Sequence, residues 1–396
     1  MFQNLFWLCL GSGLTLVSNL ALSHKLSISD FGLVTGLFAL CSFLAVLCAR
    51  GQQGLILSRA PNIDPHTIKH AFGRIAPVFI IVITSTFVYF AISFEFRSQA
   101  LVALLPFVVL SILSQVMMGV SQANVQINRI GLFQTLPSLG RSLPAFFWIA
   151  VAYFGDGSAS LIEYFLYTSA FCLAISIFIV FIDSYKQPTR QTTKTLCALS
   201  TKKESAFWLS AILSSSYVGL MAPLILYLWG DEAAGAFGIY LLLWGVTNII
   251  ISSIFNNYLL PKYAAIRQDP VPLALLLKRS RFFALWTSLA IGFLCTAFVE
   301  IGLNYIWPAE YLRHESSFFI CIASLMIRPF SASIGLSLNF PDKVAKKNKI
   351  QIASIAFLVG STFILSPFKS FSLLSFGIVV SELIVLINYY YYRDKL

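Results

Sequence analysis

Residues 31–49 read FGLVTGLFALCSFLAVLCA, nineteen positions without a charge, closed by Asp30 on one side and Arg50 on the other. At a rise of 1.5 Å per residue such a helix covers roughly 28 Å, about the thickness of a bilayer's hydrocarbon core. A half-buried strand would alternate polar and apolar positions, and this stretch does not. It therefore predicts a membrane-spanning helix, with the basic end on the cytoplasmic side.

Working outward, further runs of the same kind begin at Phe2–Ser23 and continue at Ile75–Ser93, Leu101–Val120, Phe133–Phe154 and Leu161–Ile182. The second half offers Ala206–Trp229, Phe237–Tyr258, Phe282–Gly302, Ser316–Leu338, Ile350–Leu365 and Phe371–Tyr389, which makes twelve. Composition agrees: only 11% of residues are charged and 58% are hydrophobic, where soluble domains carry roughly 25% charged residues. The run from Phe2 lacks a basic segment ahead of it and is long enough to span, so it reads as a retained helix. The seven cysteines form no CxxC pair or His cluster and read as small packing residues, so neither metal nor cofactor is expected.

A net charge of +11 would suggest a nucleic-acid partner in a soluble protein, but here position overrules it. Alternate connections hold 21 basic residues, including Arg50, Arg129, Lys278 and Lys343; the opposite set holds 4, namely Lys25, Arg97, Arg313 and Lys369. Both termini are accordingly expected in the cytoplasm. The outward connections are short, which leaves no room for an extramembrane domain. Basic clusters such as Lys278-Arg279-Ser280-Arg281 are read as orientation signals that also touch anionic lipid headgroups.

The halves resemble each other. Phe6-Trp7-Leu8 matches Phe207-Trp208-Leu209, Phe31-Gly32 matches Phe237-Gly238, and Gly119-Val120-Ser121 matches Gly335-Leu336-Ser337. Two six-helix lobes, 1–200 and 201–396, are expected from this, a plan typical of alternating-access carriers.

Ser12, Thr15 and Asn19 in the first helix, and Ser210, Ser214 and Tyr217 in the seventh, recur at helical spacing and mark one face of each. That face lines a hydrophilic cleft or mediates helix packing. Arg141 and Arg328 lie deep in their helices, where a guanidinium needs water, a counter-ion or an anionic ligand. Either they form a cationic substrate site or Arg141 snorkels to the interface and Arg328 pairs with Glu382. Glu382 itself is a counter-ion or a coupling group. Pro144 and Pro329, close behind the two arginines, are expected to free carbonyls and kink their helices.

No P-loop, HExxH, GxSxG or dinucleotide fingerprint is present, so a non-enzymatic, gradient-driven transporter is expected. Asp30-Phe31-Gly32, Arg50-Gly51, Gly235-Ala236-Phe237-Gly238 and Pro261-Lys262-Tyr263 resemble the polysaccharide-export group of the MOP superfamily, in particular Wzx-type O-antigen or repeat-unit flippases. Trp307-Pro308 departs from the glycine-containing turn usual there. The resemblance implies an all-α, MATE-like fold and a cationic cleft, to which Arg50 is added. It also implies an undecaprenyl-diphosphate-linked oligosaccharide as cargo in the bacterial inner membrane. Polymerase and chain-length machinery become possible partners alongside membrane lipids. The rival readings are a small-solute or multidrug carrier and a membrane-embedded glycosyltransferase or polymerase.

Overall fold

The computed structural model describes residues 2–49, 73, 75–82, 84, 95–123, 127–154, 160–185, 201–259, 262–263, 270–338 and 343–393. Among them every element is helical. In chain order these are α1 (Phe2–Lys25), α2 (Ile28–Ala49), α3 (Glu95–Ala103), α4 (Leu105–Ala123), α5 (Ile127–Phe154), α6 (Leu161–Tyr185) and α7 (Thr201–Gly219). Then follow α8 (Met221–Leu228), α9 (Asp231–Ile251), α10 (Pro270–Ile301), α11 (Glu315–Gly335), α12 (Val344–Leu365) and α13 (Phe371–Arg393).

Eight helices among the described residues are long and apolar enough to cross a membrane, or nine with α7 and α8 counted as one bent span. Helices α1 and α5 have the length, at 24 and 28 residues, but their hydroxyl, Asn and Arg side chains lower their hydropathy. These eleven fall on eleven of the twelve expected runs; most of the twelfth, 75–93, lies outside the described residues, as does the connection that carries Arg50. The protein is a multi-pass membrane protein. Lipid-facing side chains fit this, since Phe282, Trp286, Phe293 and Ile301 along α10 are all more than half exposed.

The run expected at Ala206–Trp229 is not one straight helix: α7 ends at Gly219 and α8 departs at 45°. Pro223 has no N–H to offer the Gly219 carbonyl four residues back and its ring collides with that carbonyl, so the chain turns there. Further on, α9 passes into a π-helical stretch, Ser252–Leu259. Two other helices overrun their apolar stretches, since α10 starts at Pro270 rather than near Phe282 and α12 starts at Val344 rather than Ile350. Basic residues tolerate this where they keep solvent exposure, as Lys278, Arg279 and Arg281 do.

Two compact units result. One comprises Met1–Lys25 with Leu37–Ser215, the other Leu26–Gly36 with Ser216–Leu396. In the first, α5 packs along α1 and against α4 and α6. The approach to α1 is close because Gly11 has no Cβ; one added there would press on Thr135, whose hydroxyl donates to the Trp7 and Gly131 carbonyls. Helix α5 contains Pro137 and Pro144 without breaking. The carbonyls they strip of helical partners, Phe133 O and Gly140 O, accept from Ser114 Oγ and, at 3.5 Å, from Cys172 Sγ of neighbouring helices.

In the second unit, the opening turns of α2 cross α9. A Cβ on Gly32 would lie 2.6 Å from Gly235 N, and one on Gly238 would lie 2.9 Å from the Phe31 ring. The two copies of the Phe-Gly repeat thus meet each other, with glycine bringing the backbones into contact. Helices α10 to α13 are joined by small polar groups: Ser317 to Ser372 at 2.8 Å, Ser280 to Ser333 at 2.9 Å, and Ser288 donating to Met326 O at 2.7 Å. The last of these lies beside Pro329. Trp307 closes the π-helical turn Gly302–Ile306 and is buried among Phe298, Tyr311 and Phe318. Its ring packs directly against Gly302, where a Cβ would lie 2.5 Å from it, so the departure from the expected turn is a packed aromatic plug.

Candidate substrate-binding site

Arg141 is the fifteenth residue of the 28 in α5, roughly 20 Å from either end at 1.5 Å per residue. The interfacial alternative took the helix to start near Leu143, and it does not. Helix α5 begins at Ile127, well before the residue, and Pro144 does not end it. Nη2 donates to Asn19 Oδ1 at 2.5 Å, and the guanidinium lies 4.5 Å over the centroid of the Phe38 ring. Its own backbone carbonyl, three residues before Pro144, accepts from the Tyr164 hydroxyl at 3.4 Å. No carboxylate pairs with it among the described residues, and Nε is buried without an acceptor. An amide oxygen and a ring face orient a cation without neutralising it.

The polar stripe of α1 supports this arginine. Asn19 is 4% exposed, and Thr15 accepts from Ser142 at 3.5 Å while donating to Gly11 O at 2.8 Å. Ser18 donates to Ser142 at 3.1 Å. Thr15 and Asn19 thus face α5, where they engage Ser142 and Arg141. Ser12 is half-buried in the same helix. Sequence reasoning passed over Ser18 and Ser142, although Ser18 is one residue from the stripe and Ser142 follows the arginine directly.

In the second unit Arg328 sits in α11 with Nε 3.7 Å from Glu382 Oε1 of α13. Glu382 is 6% exposed. The guanidinium lies 4.5 Å from the centroid of Trp244 and 5.9 Å from that of Tyr217. Tyr217 is fixed from behind, its hydroxyl 2.9 Å from Ser381 Oγ and donating to Ile378 O at 3.3 Å. The two deep arginines therefore differ electrostatically: one shares its charge with a carboxylate, the other keeps it. Of the remaining stripe, Ser214 is exposed and donates to Ser210 O within its own helix at 2.8 Å. Arg50 lies outside the described residues. No group of three or more metal-ligating side chains occurs among the described residues, and the described cysteines are free and buried.

Three solved structures share the fold along the whole chain. A MATE protein in complex with MaL6 superposes with a TM-score of 0.69 at 14% identity, covering 100% of this chain and 95% of that one. A MOP superfamily transporter from Pyrococcus furiosus gives 0.66 at 14%, with 100% and 94% covered. The lipid II flippase MurJ in an inward closed conformation gives 0.68 at 10%, with 100% and 88% covered. None of the curated proteins matches at the level of sequence. Residues 22–307, which take in both copies of the Phe-Gly repeat, match the polysaccharide biosynthesis protein family. With that match over most of its length and a MOP-superfamily fold throughout, the chain belongs to the polysaccharide biosynthesis protein family.

Proposed function

We propose that the protein moves an undecaprenyl-diphosphate-linked oligosaccharide repeat unit from the cytoplasmic to the periplasmic leaflet by alternating access. The unit would serve surface polysaccharide such as O-antigen or capsule. The observation that carries this reading is Arg141: a guanidinium held at the middle of α5 by Asn19 and Phe38, with no carboxylate to cancel it among the described residues. A diphosphate brings about two negative charges that gain from such a cation in a low-dielectric setting. Family membership supplies the polysaccharide context, and the likeness to a lipid II flippase supports a lipid-linked cargo. Arg328, and Arg50 at the basic end of the α2 run, are proposed as further contacts, with Glu382 as the counter-ion that keeps Arg328 in place.

The same reading puts the protein in the bacterial inner membrane, and the split of basic residues between alternate connections supports both termini being cytoplasmic. Polysaccharide polymerase and chain-length proteins would be its natural partners. A small-solute or multidrug carrier is the second reading, favoured by the MATE likeness. A free guanidinium argues against organic cations as its cargo. The test is a deletion strain. Lipid-linked repeat units accumulating on the cytoplasmic face, cleared by the wild-type chain but not by Arg141→Ala, support the flippase; no accumulation means a small-solute carrier, and accumulation outside means a polymerase.

A further inference from the structure

Two basic residues read so far as orientation signals, Arg281 with a general contact to lipid headgroups besides, line one cavity of about 170 Å³ in the second unit: Arg281 and Lys343. A buried water needs only ~10–15 Å³ on the same measure, so there is space for a group much larger than one water. Arg281 stands where the charge-free run of α10 begins, and Ser333 and Ser337 lie at the end of α11. The cavity thus sits at the basic end of both helices, the end that the charge pattern assigns to the membrane surface.

Its polar floor is already committed. Ser280 donates to Leu277 O at 2.8 Å and stands 2.9 Å from Ser333 Oγ, while Ser337 donates to Ile334 O at 3.1 Å. The donors left for a ligand are the guanidinium of Arg281 and the ammonium of Lys343. No carboxylate lines the cavity among the described residues. Two cations with no carboxylate between them among the described residues select an oxyanion, and a phosphate suits both. Tyr263, Leu273, Leu277 and Ile334 complete the wall, and Leu275 and Phe282 of the same helix as the two leucines are more than half exposed. A free ion has no use for that apolar flank, whereas an amphiphile does.

We propose that this cavity holds the phosphate ester of an anionic lipid, with Arg281 and Lys343 on the phosphate and Leu273, Leu277 and Ile334 along its first carbons. The proposal stands whether or not the cargo is a lipid-linked sugar.

The test is native mass spectrometry of the purified full-length chain offered phosphatidylglycerol or phosphatidylcholine. The wild type prefers phosphatidylglycerol, and the double variant Arg281→Gln, Lys343→Gln loses that preference by on the order of 30-fold. The matched variant Lys278→Gln, Arg279→Gln removes the same charge from neighbouring positions that do not line the cavity and leaves the preference intact. Arg281→Lys with Lys343→Arg retains it, which separates lost charge from lost fold. Equal losses in the two Gln pairs would overturn the proposal, as would displacement of the lipid by inorganic phosphate at equal concentration. Undecaprenyl diphosphate competing with phosphatidylglycerol identifies the site as one for the polyprenyl carrier; its failure to compete identifies bulk phospholipid. Both results uphold a lipid phosphate ester.

Discussion

Phe38 and Trp244 stand at the same step of the two repeats, 206 positions apart like Phe31 and Phe237, and each carries a guanidinium 4.5 Å from its ring centroid. The arginines come from helices that do not correspond, α5 and α11, so the ring is the repeated part and the cation is recruited separately to each. What differs is the third partner: Asn19 for Arg141, Glu382 for Arg328.

Exchanging the neutral partner for a charged one follows from this. Asn19→Asp places a carboxylate against Arg141 and cancels its charge without removing a side chain. Transport of the lipid-linked unit is expected to fall at least as far as in Arg141→Ala, while the amount of folded protein holds or rises. Accumulation of repeat units on the cytoplasmic face measures the first and membrane-fraction blotting the second. Asn19→Asp with undiminished transport would contradict an anion at Arg141.

The paired arginine should behave in the opposite way. Arg328→Ala leaves Glu382 buried without its counter-ion, a change that costs about 3 kcal/mol or more when a buried pair loses one member. Arg328→Met combined with Glu382→Gln removes both charges and should restore much of that loss. Thermal unfolding of the purified single and double variants checks it; a double variant no better than Arg328→Ala refutes the pairing.

Backbone contact between α2 and α9 allows a packing prediction. A Cβ on Gly235 would run into the carbonyl of Ile28, and backbone cannot rotate aside. Gly235→Ala should destabilise by about 1–3 kcal/mol, the range for overpacking. Gly245→Ala and Gly360→Ala meet nothing within 4 Å and should be neutral or gain up to about 1 kcal/mol of helix propensity. Melting temperatures in one detergent provide the comparison.

Orientation is checked separately. An impermeant maleimide should label Asp156→Cys in intact cells and Lys278→Cys only after permeabilisation. The reverse pattern would place both termini outside.

Much of the fold was legible because bilayer thickness sets span length so strictly. Charge-free runs such as 31–49 mark their own ends, and the basic residues mark a side. The bend at Gly219 was also written in the sequence, in the Gly219 and Pro223 pair, but a hydropathy reading cannot see it because Pro and Gly leave the run apolar. The early starts of α10 and α12 escaped for the converse reason: basic residues end an apolar run without ending a helix. At the site, depth and the Glu382 pairing could be read from position along each helix. The pairing of Arg141 with Asn19 could not, because it depends on how α1 and α5 are rotated about their axes, which Gly11 and Thr135 decide.

The two proline joints of α5 are not equally secured. Ahead of Arg141, the freed Phe133 carbonyl is taken by a hydroxyl; at Gly140, the residue before the arginine, it is taken by a thiol, a far weaker donor. The second joint is therefore the cheaper of the two to release, although Gly140 itself is packed against Cys172 and Leu110. The turn of α5 that carries Arg141 is thereby held by a weaker bond than the turn ahead of it.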